Sequence, residues 1–594
     1  MNDKPRIAIG NDDFQMIRQL GGYYIDKTAF VREIGESLNM VHLYTRPRRF
    51  GKSLALSMLA NFFDISRKED NARLYDGLEV SGDASFCAMH QFQYPVIHLS
   101  FKELTSCSFS DNLISLACLL ESLYKRYPFL ATSDKLSNSD KESYHDIQFA
   151  YRNVLQSLKA QTSIASQVSD VLMPSDIAIL STRSKNSLLL LCELLYKHYG
   201  KKVVILLDEY DVPLRYAFVN DYYDRMLEVV RSMMSSAFKG NPFLQKGVIT
   251  GCLHISKESI FTGMNNPYVN TILNQAPGEW FGFTKAEVKK LLGDCGLTGR
   301  EGDVESWYDG YLFGDREVYN PWSILSFASN AMNGDKMALR AYWAATSGND
   351  IVKQALDGDI AKSVRDDIER LMNGGTVEAA VLDVVTYQNF NLSTNLFWTL
   401  MLYSGYLKPA SPTTGNATAA LTIPNHEIRT IFNYEIMQWL DKVIMTSPLP
   451  ADILKALLDA DVQKAELAIN KFLRETISIR DHGEGFYHGM MLALLKASKR
   501  NMSVLSQREQ GDGYPDVIAI DNDTMQTLIV EIKMAESNKP ISYEQALSNC
   551  QKQYFERRYA DDLLDNAVRS HHGYAMAFHR KACRIRLLET VTGK

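Results

Sequence analysis

Apolar positions along the chain fall into two kinds of run. Unbroken runs rich in β-branched and aliphatic residues stand at Val41–Tyr44, Tyr94–Phe101 (YPVIHLSF), Lys202–Asp211 (KVVILLDEYD) and Gly247–Ile255 (GVITGCLHI). Such runs suit strands buried on both faces of a parallel sheet. Between them the apolar residues recur at helical spacing: Leu54, Leu56, Met58, Leu59, Phe62 and Phe63 after Lys52, then 110–160, 175–198 and Tyr222–Phe238. The alternation predicts an α/β domain with a parallel sheet and helices on both faces. A short strand at Ile7–Ile9 and a helix near Thr28–Leu38, with Thr28 as its cap, are expected ahead of it.

From Trp280 the pattern changes. FGFTKAEVKKLL carries Thr284 with Glu287 three residues on, a capping box. WYDGYLFGDREVYNPWSIL, from Trp307, is aromatic and turn-rich, and aromatic stripes of this kind belong to a core. Residues 285–440 read as mostly helical, a small helical or winged-helix lid. MTSPLPAD at 445–452 is the expected linker, with a helical pair following to about Ile479. Farther on, Tyr514-Pro515-Asp516 opens a strand at Val517–Ile520, Asp521-Asn522-Asp523 turns the chain, and TLIVEIK (Thr527–Lys533) returns it. Glu531 and Lys533 are two apart, so they share one face of that strand, and the hairpin brings Asp516 near them.

Composition narrows the classes. At 594 residues, three or four domains of about 150 residues each are expected. Hydrophobic content of 46% with 23% charged residues describes a globular chain. The formal net charge of −6 leaves no global basic footprint, so any nucleic-acid contact must be local. Eight scattered cysteines without a C-x-x-C read as reduced thiols in a cytoplasmic protein, not a zinc site. The N-terminal stretch has no apolar signal core, and the longest apolar run, SLLLLCELLY from Ser187, is too short to span a bilayer. No membrane partner is expected.

Two stretches carry chemistry. In YTRPRRFGKSL, Pro47 and Gly51 exclude regular structure, and a helix opens at Lys52. Gly51-Lys52-Ser53 at such a junction is the second half of a phosphate-binding P-loop: Lys52 reaches the β/γ oxygens and the Ser53 hydroxyl faces Mg²⁺. The first Gly of that motif is replaced by Arg46, so Pro47, Arg48, Arg49 and Phe50 must shape the loop; with Leu54 they complete the expected ATP-binding set. About 155 residues on, Asp208 ends an apolar strand as the second Mg²⁺ ligand, and Glu209 is placed to polarise a water. Thr250-Gly251 and His254 lie where a γ-phosphate sensor would stand. The three loop arginines are expected to divide between phosphate and subunit contacts, which would imply a homo-oligomer.

The second stretch is Pro515-Asp516, fourteen residues, then Glu531-x-Lys533. Two carboxylates on one face are costly unless a cation neutralises them, and Mg²⁺ suits one or two carboxylates plus water and phosphate oxygens. Lys533 would orient a water or stabilise developing charge. Glu484, four residues before His488 on one helical face, is either a third metal-site acid or a helix cap.

YYIDKT at Tyr23–Thr28, TRPRRFGKSL, LLDEYDVPL at Leu206–Leu214 and the stretch Gly251–Asn266 with IFTGMNN resemble the AAA-ATPase-like family, itself similar to archaeal P-loop ATPases. The resemblance covers roughly the first 280 residues and implies that Arg46 is the family's norm. The C-terminal motif, with EGFYHGMMLALL from Glu484 and VLSQREQGDGYPD from Val504, resembles the PD-(D/E)XK nuclease superfamily. It departs from that pattern at Tyr514-Pro515, where an Arg usually precedes the Asp, and on the next helix, where Asn549 or Gln551 stands at shifted spacing for the usual Gln. These resemblances imply an ATP- and Mg²⁺-dependent P-loop domain at 1–280, a lid region at 281–445, a helical linker at 446–482 and a nuclease-like α/β domain at 483–594. DNA is the implied partner, in defence or mobile-element biology. The alternative is a regulatory or scaffold ATPase whose C-terminal domain binds nucleic acid or protein without cutting.

Overall fold

The computed structural model describes residues 4–162, 173–255, 267–274, 278–335, 338–343, 374–382, 394–412, 418–432, 449–476, 484–498, 501–506, 515–559 and 570–592, with a few positions between 364 and 372. The chain forms two compact units. One comprises Met1–Ala355 with Glu378–Glu427, the other Leu356–Val377 with Ile428–Lys594. Thus 281–355 and 378–427 group with the N-terminal region, and 356–377 and 428–445 with the C-terminal region. No helix among the described residues is long and apolar enough to cross a membrane.

The first unit is built on five parallel strands, β1 (Val41–Thr45), β2 (Val96–Ser100), β3 (Val203–Asp208), β4 (Leu244–Gly251) and β5 (Tyr268–Asn270), in the order β2-β3-β4-β1-β5. Every residue of β1 and β3 is buried, as the unbroken apolar runs require. Because all strands run the same way, their C-terminal ends share one edge. β4 lies between β1 and β3, with Thr45 level with Gly251 and Leu207 level with Ile249. The helices Lys52–Phe63, Pro174–Tyr199 and Tyr223–Phe238 form where helical spacing predicts them. Ile7–Ile9 is not a strand. Thr28 precedes the helix Ala29–Glu36 without capping it; its hydroxyl and N–H instead donate to Asp26.

Beyond Trp280 the capping box forms as expected, with Thr284 and Glu287 satisfying each other's backbone at the head of Lys285–Asp294. The region is less helical than its periodicity suggests. It contains a hairpin of β6 (Tyr311–Phe313) and β7 (Arg316–Val318), and a sheet of β8 (Val377–Ala380), β9 (Lys408–Pro409) and β10 (Thr418–Thr422) in the order β8-β10-β9. Leu449–Leu458 is a helix, so the second half of the expected linker is structured: its apolar face is buried. The first half, 445–448, lies outside the described residues, as does IFTGMNN.

The second unit holds a mixed sheet, β11 (Met502–Ser506), β12 (Val517–Asp521), β13 (Gln526–Met534), β14 (Ser570–His579) and β15 (Ala582–Thr592), paired in chain order. The β13–β14 pair is parallel and the others antiparallel. The helix Pro540–Glu556 lies between β13 and β14 in the chain, as a parallel connection demands. The helix Glu484–Ala497 is held to the sheet by Tyr487, whose ring stacks on Phe578 at 4.5 Å and whose hydroxyl donates to the Arg580 carbonyl at 2.6 Å.

A buried acid in the first unit creates a pH dependence. Glu427 is fully buried and accepts from Ser323 Oγ (2.7 Å) and the N–H groups of Tyr342 (2.8 Å) and Trp343 (2.9 Å). Burial outweighs these donors and pushes its pKa up to about 7. A folded-state carboxyl raised in this way is stabilising while protonated, and stability falls as pH rises from the unfolded value towards 7. Over that window the loss is about 3 kcal/mol. Glu427→Gln should therefore flatten thermal stability against pH between about 4.5 and 7. Parallel wild-type and variant unfolding curves across that range would refute it.

Candidate functional site

β1 ends at Thr45, and the Arg46 N–H donates to the Gly251 carbonyl at 3.1 Å, tying the loop to β4. The loop closes at Gly51, whose φ of +84° is left-handed, and the helix begins at Lys52 with no side-chain cap. Glycine suits that conformation, and the uncapped N–H groups at the helix start leave an anion-binding end. Lys52 Nζ folds back on the carbonyls of Arg46 and Pro47, each at 3.1 Å, and lies 3.6 Å from Glu209 Oε1. Ser53 Oγ donates to Asp208 Oδ2 at 2.5 Å. The other Asp208 oxygen accepts the Glu209 N–H at 3.0 Å and the Thr250 hydroxyl. The structure thus brings Gly51, Lys52, Ser53, Asp208, Glu209 and Thr250 together at one sheet edge. Gly51, Lys52, Ser53, Leu54, Asp208 and Glu209 line a cavity of about 450 Å³.

Charge inside this cluster is balanced by proximity. Burial opposes the Lys52 ammonium, but the Cys252 sulfur and the carboxylates of Glu209, Asp208 and Asp211 outweigh it and raise its pKa. Burial raises Asp208, and the neighbouring Glu209 charge adds to the effect. Asp211 is raised by burial as well, and it accepts the N–H groups of Cys252 and Leu253 at 3.2 Å. Gly251 is required beside it: a Cβ there would stand 2.5 Å from an Asp211 oxygen. Glu209 itself has φ +53°, a left-handed turn that carries its side chain off the strand end into the cavity.

A hydroxyl and a carboxylate in contact beside a lysine are the oxygen donors that a hard cation takes. Among the described residues no group of three or more His, Cys, Asp or Glu is arranged to hold a metal alone. The donor set at Ser53 and Asp208 therefore fits Mg²⁺ that keeps water and phosphate oxygens as its other ligands, and does not fit a fully protein-ligated ion.

The loop side chains do not all face the cavity. Arg46 is 1% exposed, and its guanidinium donates to the carbonyls of Thr45 (2.8 Å) and Asn270 (3.0 Å) and to Asn270 Oδ1 (2.5 Å). The rings of Phe281 and Phe313 lie 5.3 and 5.2 Å from it. Burial pushes its pKa down to about 10. The expectation of an Arg46 phosphate contact is corrected: this side chain joins β1 to β5. Phe50 is likewise buried, 4.9 Å from the rings of Tyr311 and Phe313, and Pro47 packs beside Gly405; neither lines the cavity. Arg48 and Arg49 do line it. Arg49 has φ +69° and lies 4.3 Å over the Trp322 ring.

Sequence reading missed Asp12, Lys102, Arg215 and Trp322, which also line the cavity. Their only signal is distributed: Lys102 lies two residues past β2, Arg215 follows the Asp208 strand, and Trp322 lies in the aromatic block treated as core.

In the second unit, Lys533 Nζ donates to Glu484 Oε1 at 3.0 Å and Glu531 Oε1 at 3.3 Å. Asp516 Oδ2 accepts the Ile532 N–H at 2.7 Å, and the Asp516 carbonyl lies 2.6 Å from His488 Nε2. All four predicted residues, Asp516, Glu531, Lys533 and Glu484, thus meet at one site. Glu531 is fully buried, and burial followed by the Asp516 charge pushes it up to about 8. Its Oε2 has no hydrogen-bond partner among the described residues. Asp516 is raised by burial, and Lys533 is raised by Asp516, Glu484 and Glu531 against its own burial. Gln551 accepts from Arg586 at 3.2 Å and is exposed, so it serves a surface pair.

If Arg46 is a strand-joining residue, its loss should read as stability. Arg46→Ala and Asn270→Ala should each cost about 3 kcal/mol in denaturant unfolding, and the double variant clearly less than their sum. Additive costs would deny the pairing.

Residues 8–261 match the model of a family described as predicted AAA-ATPase. That span holds β1 to β4, the Lys52 loop and Asp208-Glu209. An uncharacterized protein encoded in the vnfD 5′ region of Azotobacter chroococcum mcd 1 is 24% identical to this chain over 346 residues, covering 58% of the chain and 54% of that protein. The chain therefore spans about half the length of this curated relative. The N-terminal part of the chain is thus similar to the predicted AAA-ATPases of that family.

Proposed function

We propose that the first unit binds and hydrolyses ATP with Mg²⁺. One observation carries the reading: Ser53 and Asp208 meet at 2.5 Å at an uncapped helix start, with Lys52 Nζ 3.6 Å from Glu209. The helix N–H groups and Lys52 bind the phosphate oxygens, Lys52 exchanging its loop carbonyls for them. Bound Mg²⁺ would supply charge neutralisation at the β and γ oxygens, held by Ser53 and Asp208. Glu209 accepts the proton of the attacking water as its oxygen bonds to the γ-phosphorus and the bond to the departing ADP oxygen breaks. Thr250 and the Glu209 N–H hold Asp208 in place. Lys52→Ala should weaken ATP about 10- to 100-fold in calorimetry, the worth of a charge-assisted contact. Glu209→Gln should bind ATP normally and hydrolyse it at least about 100-fold more slowly. Normal turnover by Glu209→Gln would move the base elsewhere.

The second unit favours a metal-dependent nuclease reading, with DNA as its partner. The supporting observation is Glu531: a fully buried carboxylate with one oxygen unpartnered among the described residues, beside Asp516 and Lys533. That oxygen and Asp516 suit a divalent cation, while Lys533 is positioned to stabilise charge on a phosphodiester. Wild-type protein should gain thermal stability with Mg²⁺ or Mn²⁺ and cut plasmid DNA when ATP is present. Asp516→Asn should lose both, and Lys533→Ala should lose cleavage but keep the metal-induced shift. Absence of both effects in the wild type would leave a binding module, the scaffold alternative.

A further inference from the structure

Three successive residues of the loop ahead of Lys52 are held by the region after the sheet. Asn320 Nδ2 donates to the Arg48 carbonyl at 3.5 Å, and the Gly282 N–H to the Phe50 carbonyl at 3.2 Å. Between them the Arg49 guanidinium lies 4.3 Å over the Trp322 ring. The two holding segments are tied to each other. The Phe283 N–H donates to the Tyr319 carbonyl at 3.0 Å, and the Tyr319 N–H to the Phe283 carbonyl at 2.7 Å. Trp322 is itself fixed at the head of the helix Pro321–Met332. Its backbone N–H donates to the Asn320 cap at 2.9 Å, and its indole N–H to the Tyr342 carbonyl at 3.3 Å. A ring serving only the core would be fully covered. Trp322 is half-buried, and it lines the same cavity as Arg49, Lys52 and Ser53.

Arg49 adopts φ +69°, a conformation that local preference gives to glycine or asparagine. Its guanidinium has no hydrogen bond or ion pair among the described residues; Arg48 repels it and Asp12 attracts it only through space. The Trp322 ring is therefore the contact that orients it. A guanidinium resting on an aromatic face keeps its N–H donors at its rim, so it can stack and hold an anion at once. We propose that Trp322 is a positioning residue for phosphate binding: its ring holds the Arg49 guanidinium with its donors towards phosphate oxygens carried at Lys52. This rests on the ATP reading above. Trp322 acts through Arg49 and does not itself meet the ligand. The aromatic block after the sheet thus serves the phosphate site as well as the core, and bound phosphate bears on the helix Pro321–Met332 through this contact.

Calorimetry on the full chain with Mg²⁺ tests this with two ligands, ATP and inorganic tripolyphosphate, which has no base. Arg49→Ala should weaken both about tenfold or more. Trp322→Leu should weaken both about 3- to 10-fold, and Trp322→Phe, which keeps a ring face, should restore most of the loss. The double variant Arg49→Ala/Trp322→Leu should bind no more weakly than Arg49→Ala alone. Unchanged affinity in Trp322→Leu, a loss confined to ATP, or a loss that adds to that of Arg49→Ala would overturn the positioning role and leave the ATP reading standing. Should Trp322→Leu not fold, ¹⁹F spectra of 5-fluorotryptophan-labelled protein decide. The Trp322 resonance, assigned by its absence in Trp322→Phe, should shift on saturation with tripolyphosphate, and the shift should be lost in Arg49→Ala. No shift in wild type, or a full shift in Arg49→Ala, would overturn the proposal. Failure of wild type to bind either ligand would remove the ATP reading, and the role of Trp322 with it.

Discussion

A carboxylate at the end of an all-apolar strand must find donors or pull the strand end into water. Asp208 is 3% exposed, and it finds them in Ser53, Thr250 and the Glu209 N–H. These come from the helix after β1, from the end of β4 and from the turn after β3 itself. One buried acid thus sets the ends of three parallel strands level, and Ser53, Asp208 and Glu209 of the same cluster line the cavity. The interaction that completes the fold here is the one that leaves the chemistry in place. Its cost is evident in the raised pKa of Asp208, which burial and the adjacent Glu209 impose.

Arg46 solves a related problem by the opposite route. A guanidinium cannot shed its charge inside a protein, so it must be saturated with acceptors or covered by ring faces. Two carbonyls, one amide oxygen and two phenyl rings do most of this, leaving Nε without a hydrogen bond among the described residues, and in doing so they hold the edge strand β5 against β1. The loop that follows is then anchored at Pro47 and Phe50, which leaves Arg48, Arg49 and Lys52 to face the cavity. Three arginines close together in sequence have separate environments because the loop turns between them, with Arg49 and Gly51 both at positive φ.

In the second unit the arrangement is less fully paired. Lys533 bridges Glu484 and Glu531, and Asp516 is held by a backbone N–H, yet one Glu531 oxygen stays buried without a donor among the described residues. A stability-driven site would have removed that acid or paired it, so the unsatisfied oxygen is the observation that favours a ligand there.

Strand identity and the two acidic motifs were legible in the chain because each is local. Unbroken apolar runs specify β1 and β3, the capping box at Thr284 needs only four residues, and Glu531 and Lys533 share a face through the two-residue period of a strand. Sequence could also pair Gly51-Lys52-Ser53 with Asp208-Glu209 by pattern. It could not say which arginine turns inward, because that depends on Asn270 and Phe313, more than 200 positions away. Nor could it place Lys102, Arg215 and Trp322 on the cavity, since nothing in the spacing of 102, 215 and 322 marks them as neighbours. Periodicity reports which side of an element is buried. Only the packed sheet, with β4 inserted between β1 and β3, decides what that side is buried against.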